Sequence, residues 1–153
     1  MIAFQQGDRE AGLRILQAMQ PYLLKYVRLV RQAQVNWQDY DSRRFVSLLV
    51  PDPALRKAVL RARQTPTVRA RATHYLRILA SAIRPIPQED LEQEMAAILL
   101  ALARRYKPMP HRNFVGYVAG RRGAFKYALL RSLKGMVADP TVFQAFTGGS
   151  IPF

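Results

Sequence analysis

Between positions 113 and 134 the chain reads NFVGYVAGRRGAFKYALLRSLK, with five basic side chains, four aromatic rings and no acid. Two kinds of chemistry use such a mixture. Rings beside cations can stack nucleic-acid bases while the cations neutralise phosphates, with stacking worth about 1–3 kcal/mol per base. Alternatively, one flank of an amphipathic helix packs a core and the other flank is simply solvated. Phe114, Val118, Phe125, Ala128 and Leu129 can share one helical face, which suits a core. Tyr117 with Arg121, and Arg122 with Lys126, fall at helical spacings around the sides. Tyr117 and Tyr127 fit either reading. Gly116, Gly120 and Gly123 each cost a helix about 1 kcal/mol relative to alanine. They need a reason: a closely approaching neighbour, or a break at GRRG that divides the helix.

A second grouping lies just upstream. In DLEQEMAAILLALARRYK, residues 90–107, the apolar Leu91, Met95, Ile98, Leu99, Leu102 and Tyr106 recur at three- and four-residue steps and predict one buried stripe. Glu89, Asp90, Glu92 and Glu94, four of the ten acids in the chain, crowd the first turns, and Arg104, Arg105 and Lys107 close the helix. Both ends complement the helix dipole, at about 0.3–1 kcal/mol per charge. One or two acids would do that. Concentrating the scarce negative charge of a basic protein here points also to a docking site for a basic partner surface.

Other chemistries find little to work with. His74 and His111 stand far apart without ligand spacing, there is no cysteine, and no Gly-rich phosphate loop or nucleophile with an evident base occurs. Ser132 and Ser150 read as surface residues. No enzymatic activity, metal or cofactor is expected.

The elements that must position these groups read as helices. Asp52-Pro53, Thr65-Pro66 and Asp139-Pro140 each place a capping side chain before a proline at the first helical position, and Asp8 caps the first helix after Gly7. Apolar residues fall at helical intervals and no run alternates cleanly. The pattern predicts helices near 8–20, 21–35, 42–49, 53–63, 66–83, 88–106, 113–135 and 140–146, with a loose tail GGSIPF. A single all-α domain over residues 1–153 is expected.

Charge bounds the partner. Lys and Arg total 24 against 10 acids, a net charge of +14. Such an excess repels itself in a compact chain unless an anionic partner neutralises it, and nucleic acid leads over an acidic protein or a membrane surface. The segment 42–88 carries ten arginines and lysines opposed only by Asp52. Taken singly these are solvated helix faces; taken together they favour phosphate contact. No apolar run reaches bilayer length and no leader pattern opens the chain, so a cytoplasmic protein without membrane contact is expected.

The order DLEQE, a Leu-rich helix ending in RRYKP, a short loop, then NFVGYVAGRRGAFKYALLRSLK resembles conserved region 2 of the bacterial sigma-70 family of RNA polymerase sigma factors. AFQQGDREAGLRILQAMQPYLLKYV resembles the segment that opens that region. The likeness covers roughly residues 3–30 and 88–136, with 38–86 as a basic helical insertion. It implies the helical bundle of region 2 and a role in transcription initiation. Asp90, Gln93 and Glu94 would dock on the clamp helices of the RNA polymerase core. Phe114, Tyr117, Arg121, Arg122, Phe125, Lys126 and Tyr127, with Arg131 on the same helix, would contact promoter −10 DNA, melting it and holding flipped bases. The paired tryptophans of the family's melting helix are missing, the sole Trp being Trp37. No helix-turn-helix follows residue 136, so a separate subunit is expected to supply the −35-reading module, or the chain is a phage or mobile-element relative. Two other readings stay open: a basic helical nucleic-acid-binding or architectural protein, and a phage-encoded polymerase modulator.

Overall fold

The computed structural model describes Gln5 and residues 7–108, 110, 113–119 and 123–147; among them every regular element is helical and no strand occurs. In chain order these are α1 (Arg9–Ala18), α2 (Gln20–Gln32), α3 (Tyr40–Leu48), α4 (Pro53–Leu60), α5 (Pro66–Ile83) and α6 (Gln88–Arg105). A short α7 (Phe114–Val118) and α8 (Ala124–Met136) follow, then a 3-10 turn (Pro140–Phe143) running into α9 (Gln144–Thr147). The tail 148–153 lies outside the described residues.

The expected caps all form. Asp8 accepts the N–H groups of Glu10 and Ala11, Asp52 that of Ala54, Thr65 that of Val68, and Asp139 that of Thr141. Each satisfies an otherwise unpaired helix donor and contributes about 1 kcal/mol. Several boundaries differ from expectation: α1 ends at Ala18 rather than 20, and α4 at Leu60 rather than 63. Asp39 caps α3 by accepting the Ser42 N–H, so that helix begins at Tyr40 rather than 42. Helix α2 stops at Gln32 rather than 35, because Ala33 turns left-handed at φ 52° and its N–H donates to the Arg28 carbonyl. A left-handed alanine costs about 1 kcal/mol, which the closure of the helix end offsets.

Helix α2 is central. Leu23, Tyr26, Val27, Leu29 and Val30 are buried along it, and it packs against both α5 and α6. Helix α5 also packs on α3 and α4, and α6 on α1, α7 and α8. One apolar cluster runs through all of them, so Phe45, Val46, Leu55, Leu76 and Ile83 from 38–86 share a core with Leu99, Phe125 and Leu129. The stripe on α6 buries Leu91, Met95, Leu99, Leu102 and also Ala103, while Ile98 and Tyr106 are half-buried. Along α5 the buried set is Ala72, Leu76, Leu79 and Ile83. That packing turns Arg71, His74, Arg77 and Arg84 outward. No helix among the described residues is long and apolar enough to cross a membrane.

Candidate functional site

The acidic start of α6 is built by what precedes it. Pro87 occupies the cap position and offers no side chain to the free N–H groups of the first turn, so Glu89 and Asp90 are the negative charges that complement them. Glu89, Asp90, Glu92 and Gln93 are exposed and Glu94 is half-buried. Glu94 accepts a hydrogen bond from the Ser132 hydroxyl of α8 at 2.5 Å, and Glu92 accepts one from the Gln88 amide at 3.1 Å. Among the described residues none of the four acids forms an ion pair with lysine or arginine; the ion pairs all involve Glu10, Asp39, Asp41 or Asp52. Asp90, Gln93 and Glu94 share one side of the helix, as three- and four-residue steps require. Asp90 also borders a cleft of about 390 Å³ lined by Ala82, Pro85, Ile86, Met136 and Val137. A carboxylate at an apolar rim suits a cation on a long aliphatic stem.

The aromatic-basic stretch is two helices rather than one. Asn113 caps α7 by accepting the Gly116 N–H, and α7 ends after Val118. Helix α8 starts behind Gly123, where an added Cβ would lie 2.5 Å from the Ala119 and Val118 carbonyl oxygens. Only glycine lets the chain return so close to the end of α7. The expected helix 113–135 is corrected accordingly: α7 closes at an extended Ala119 and α8 opens after an extended Gly123.

The expected base-contacting residues separate into groups. Phe114 and Tyr117 are half-buried and meet Tyr106, at the end of α6, at ring distances of 5.5 and 5.6 Å. Tyr127 is half-buried and its hydroxyl accepts a hydrogen bond from Arg44 at 3.3 Å, while Arg131 is exposed. Arg121 and Arg122 lie outside the described residues. Phe125 and Lys126 require correction, because both are fully buried and neither can reach a nucleic acid. The Phe125 ring packs edge-on against Tyr22 and Tyr26 at 5.2 and 5.0 Å. The Lys126 ammonium lies 3.2 Å from Asp41 Oδ1.

Lys126 belongs to a charged cluster that the sequence did not announce. Asp41 Oδ2 accepts from the Tyr26 hydroxyl at 2.7 Å and from Lys25 Nζ at 2.9 Å, and Lys25 also bonds Asp39 at 3.0 Å. Two cations and two carboxylates thus balance, which buried charge demands. Burial pushes the Asp41 carboxyl up, but the Lys25 charge, the Tyr26 hydroxyl and the Lys126 charge bring it below the usual carboxylate range. Burial likewise raises Asp39, and its bonds from Ser42 and Lys25 outweigh that and lower it. Burial first, and then the Tyr22 neighbour and the Asp41 charge, hold the Tyr26 hydroxyl well above its ordinary value, so it stays a donor. The available signal was position: Lys126 lies on the same side of α8 as Leu129, Leu130 and Leu133.

No protein-family model, curated protein or solved structure matches this chain.

Proposed function

We propose that the protein is a sigma-like transcription initiation factor, in which the acidic start of α6 docks on the RNA polymerase core and the α7–α8 segment contacts promoter −10 DNA. One observation carries the reading. In a chain of net charge +14, the carboxylates of Glu89, Asp90 and Glu92 stay exposed without an internal cationic partner among the described residues. Leaving these free keeps a negative surface for a basic partner, where complementary charge speeds encounter and fixes orientation. Asp90 and Gln93 form its exposed edge and Glu94, oriented by Ser132, its inner edge.

For the DNA contact the reading keeps Phe114, Tyr117, Tyr127 and Arg131, together with Arg121 and Arg122 from the sequence. Phe125 and Lys126 support these from beneath and touch no base. Holding a flipped base costs a few kcal/mol of unstacking, which stacking at about 1–3 kcal/mol per base can offset.

The test uses purified RNA polymerase core and the full chain. Asp90→Lys with Gln93→Lys reverses the exposed edge without touching a buried group. A like charge facing a basic partner costs several kcal/mol, so polymerase affinity is expected to fall by well over tenfold. The parent is also expected to prefer a −10-like non-template strand over a scrambled strand when bound to polymerase. Equal polymerase affinity of parent and variant would sink the reading.

A further inference from the structure

The face of α5 that points away from the core carries cations and no acid. Residues 53–87 hold eight arginines and lysines and no acid. Three are engaged within the fold: Arg56 donates to the Val50 carbonyl at 2.7 Å, Arg69 lies 5.6 Å over the Trp37 ring, and Arg71 pairs with Asp52 at 3.6 Å. Lys57, Arg61, Arg63, Arg77 and Arg84 are exposed and have no acidic partner among the described residues. On α5 the steps from Arg71 to His74, Arg77 and Ser81, continuing to Arg84 just past its end, follow one side of the helix, with the small Thr67 and Ala70 beside them. From Arg71 to Arg84 that side runs about 20 Å, at about 1.5 Å per residue.

We propose that this face, with the Arg61–Arg63 turn leading into it, is a second DNA-binding surface that takes the phosphate backbone of duplex DNA without reading sequence. A duplex presents one phosphate per about 1.7 Å of axis, so a row of this length faces several at once. Three features favour DNA duplex over other anionic partners. A membrane-surface helix needs an exposed apolar face; the large exposed apolar side chains among the described residues are Leu13 and Val115, both elsewhere, and the apolar face of α5 is in the core. An acidic protein partner would need aromatic or aliphatic anchors at the centre of the patch, where this face has Ala70, His74 and Ser81. Single strands need free ring platforms, whereas His74 and Tyr75 are stacked edge-on with each other at 5.3 Å.

The surface is independent of the polymerase reading. In the test, fluorescence anisotropy measures binding of a scrambled 30-base-pair duplex (about three turns) across a salt series. Each lost phosphate contact lowers the slope of log affinity against log salt by about 0.9. Arg61→Ala, Arg63→Ala, Arg77→Ala and Arg84→Ala together are expected to lower it by about 3 to 4 and to weaken binding at 100 mM salt by at least about 100-fold. Since all four side chains are exposed, circular dichroism and melting temperature should match the parent. The corresponding four-lysine variant is expected to keep the slope. An unchanged slope in the alanine variant overturns the proposal, as does tighter binding of the parent to phosphatidylserine vesicles than to the duplex. The Asp90→Lys, Gln93→Lys variant should keep the full slope whatever becomes of its polymerase binding, so the two readings fail separately.

Discussion

Lys126 on α8 and Arg77 on α5 are cations on amphipathic helices of the same small fold, and they meet opposite fates. Lys126 is fully buried against Asp41, with the Tyr26 hydroxyl and Lys25 on the same carboxylate. Arg77 is exposed and forms no ion pair among the described residues. Lys126 lies on the buried stripe of α8 with Leu129, Leu130 and Leu133, whereas Arg77 lies away from the buried stripe of α5; a cation can sit in a stripe only where an acid meets it. The difference is where the scarce acids went. Asp41 is buried and Asp39 half-buried, and between them they compensate two lysines; the α4–α5 region was left with Asp52 alone. One charge holds the fold together; the other, on the proposal above, meets the phosphates of DNA.

The sharpest way to break this comparison is to remove the internal acid. Asp41→Asn removes the carboxylate that pairs with the buried Lys126, and breaking such a pair costs about 3–5 kcal/mol. For a chain of this size that is roughly a 10 °C fall in melting temperature. Adding Lys126→Met should recover part of the loss, because an apolar side chain of similar length needs no partner. A loss below about 1 kcal/mol, or no recovery in the double variant, would mean the pair is not what holds α8 to α3.

Acid tests the same cluster more gently. The carboxyls of Asp39 and Asp41 are lowered in the fold relative to the unfolded chain. A lowered carboxyl contributes stability that is fully present above its unfolded value of about 3.9 and is lost as pH falls through the folded value. The urea midpoint of the parent should therefore drop below about pH 4, and Asp41→Asn should flatten that limb. Parallel curves for the two proteins would remove Asp41 from the account.

These outcomes bear on what the sequence could reveal. Caps at Asp8, Asp52, Thr65 and Asp139 were legible because a cap is decided within three residues. The break at Gly123 was legible as a need but not as a geometry, since the backbone it avoids is that of Val118 and Ala119. Exposure of Asp90 followed from its place opposite Leu91 and Met95 on a patterned helix. Lys126 was misread because a lysine in a basic stretch reads as solvated even on the face of Leu129, Leu130 and Leu133, and the carboxylate that pairs with it inside lies 85 positions away. The aromatics divided for the same reason: whether a ring is core or platform depends on which distant helix covers it. Tyr22 and Tyr26 of α2 cover Phe125.

The smallest expected effect sharpens the comparison from its exposed side. Arg77→Ala removes a side chain that contacts no acid and supports no buried group, so the unfolding free energy should move by less than about 0.5 kcal/mol. Any change is expected to be a rise, because removing one positive charge from a chain at +14 relieves repulsion. DNA binding should move the other way, with the salt slope falling by about 1 for one phosphate contact. Stability unchanged and slope reduced is the signature of a cation kept for an external anion. A stability loss comparable to that of Asp41→Asn would instead make Arg77 a structural residue, and the contrast with Lys126 would disappear.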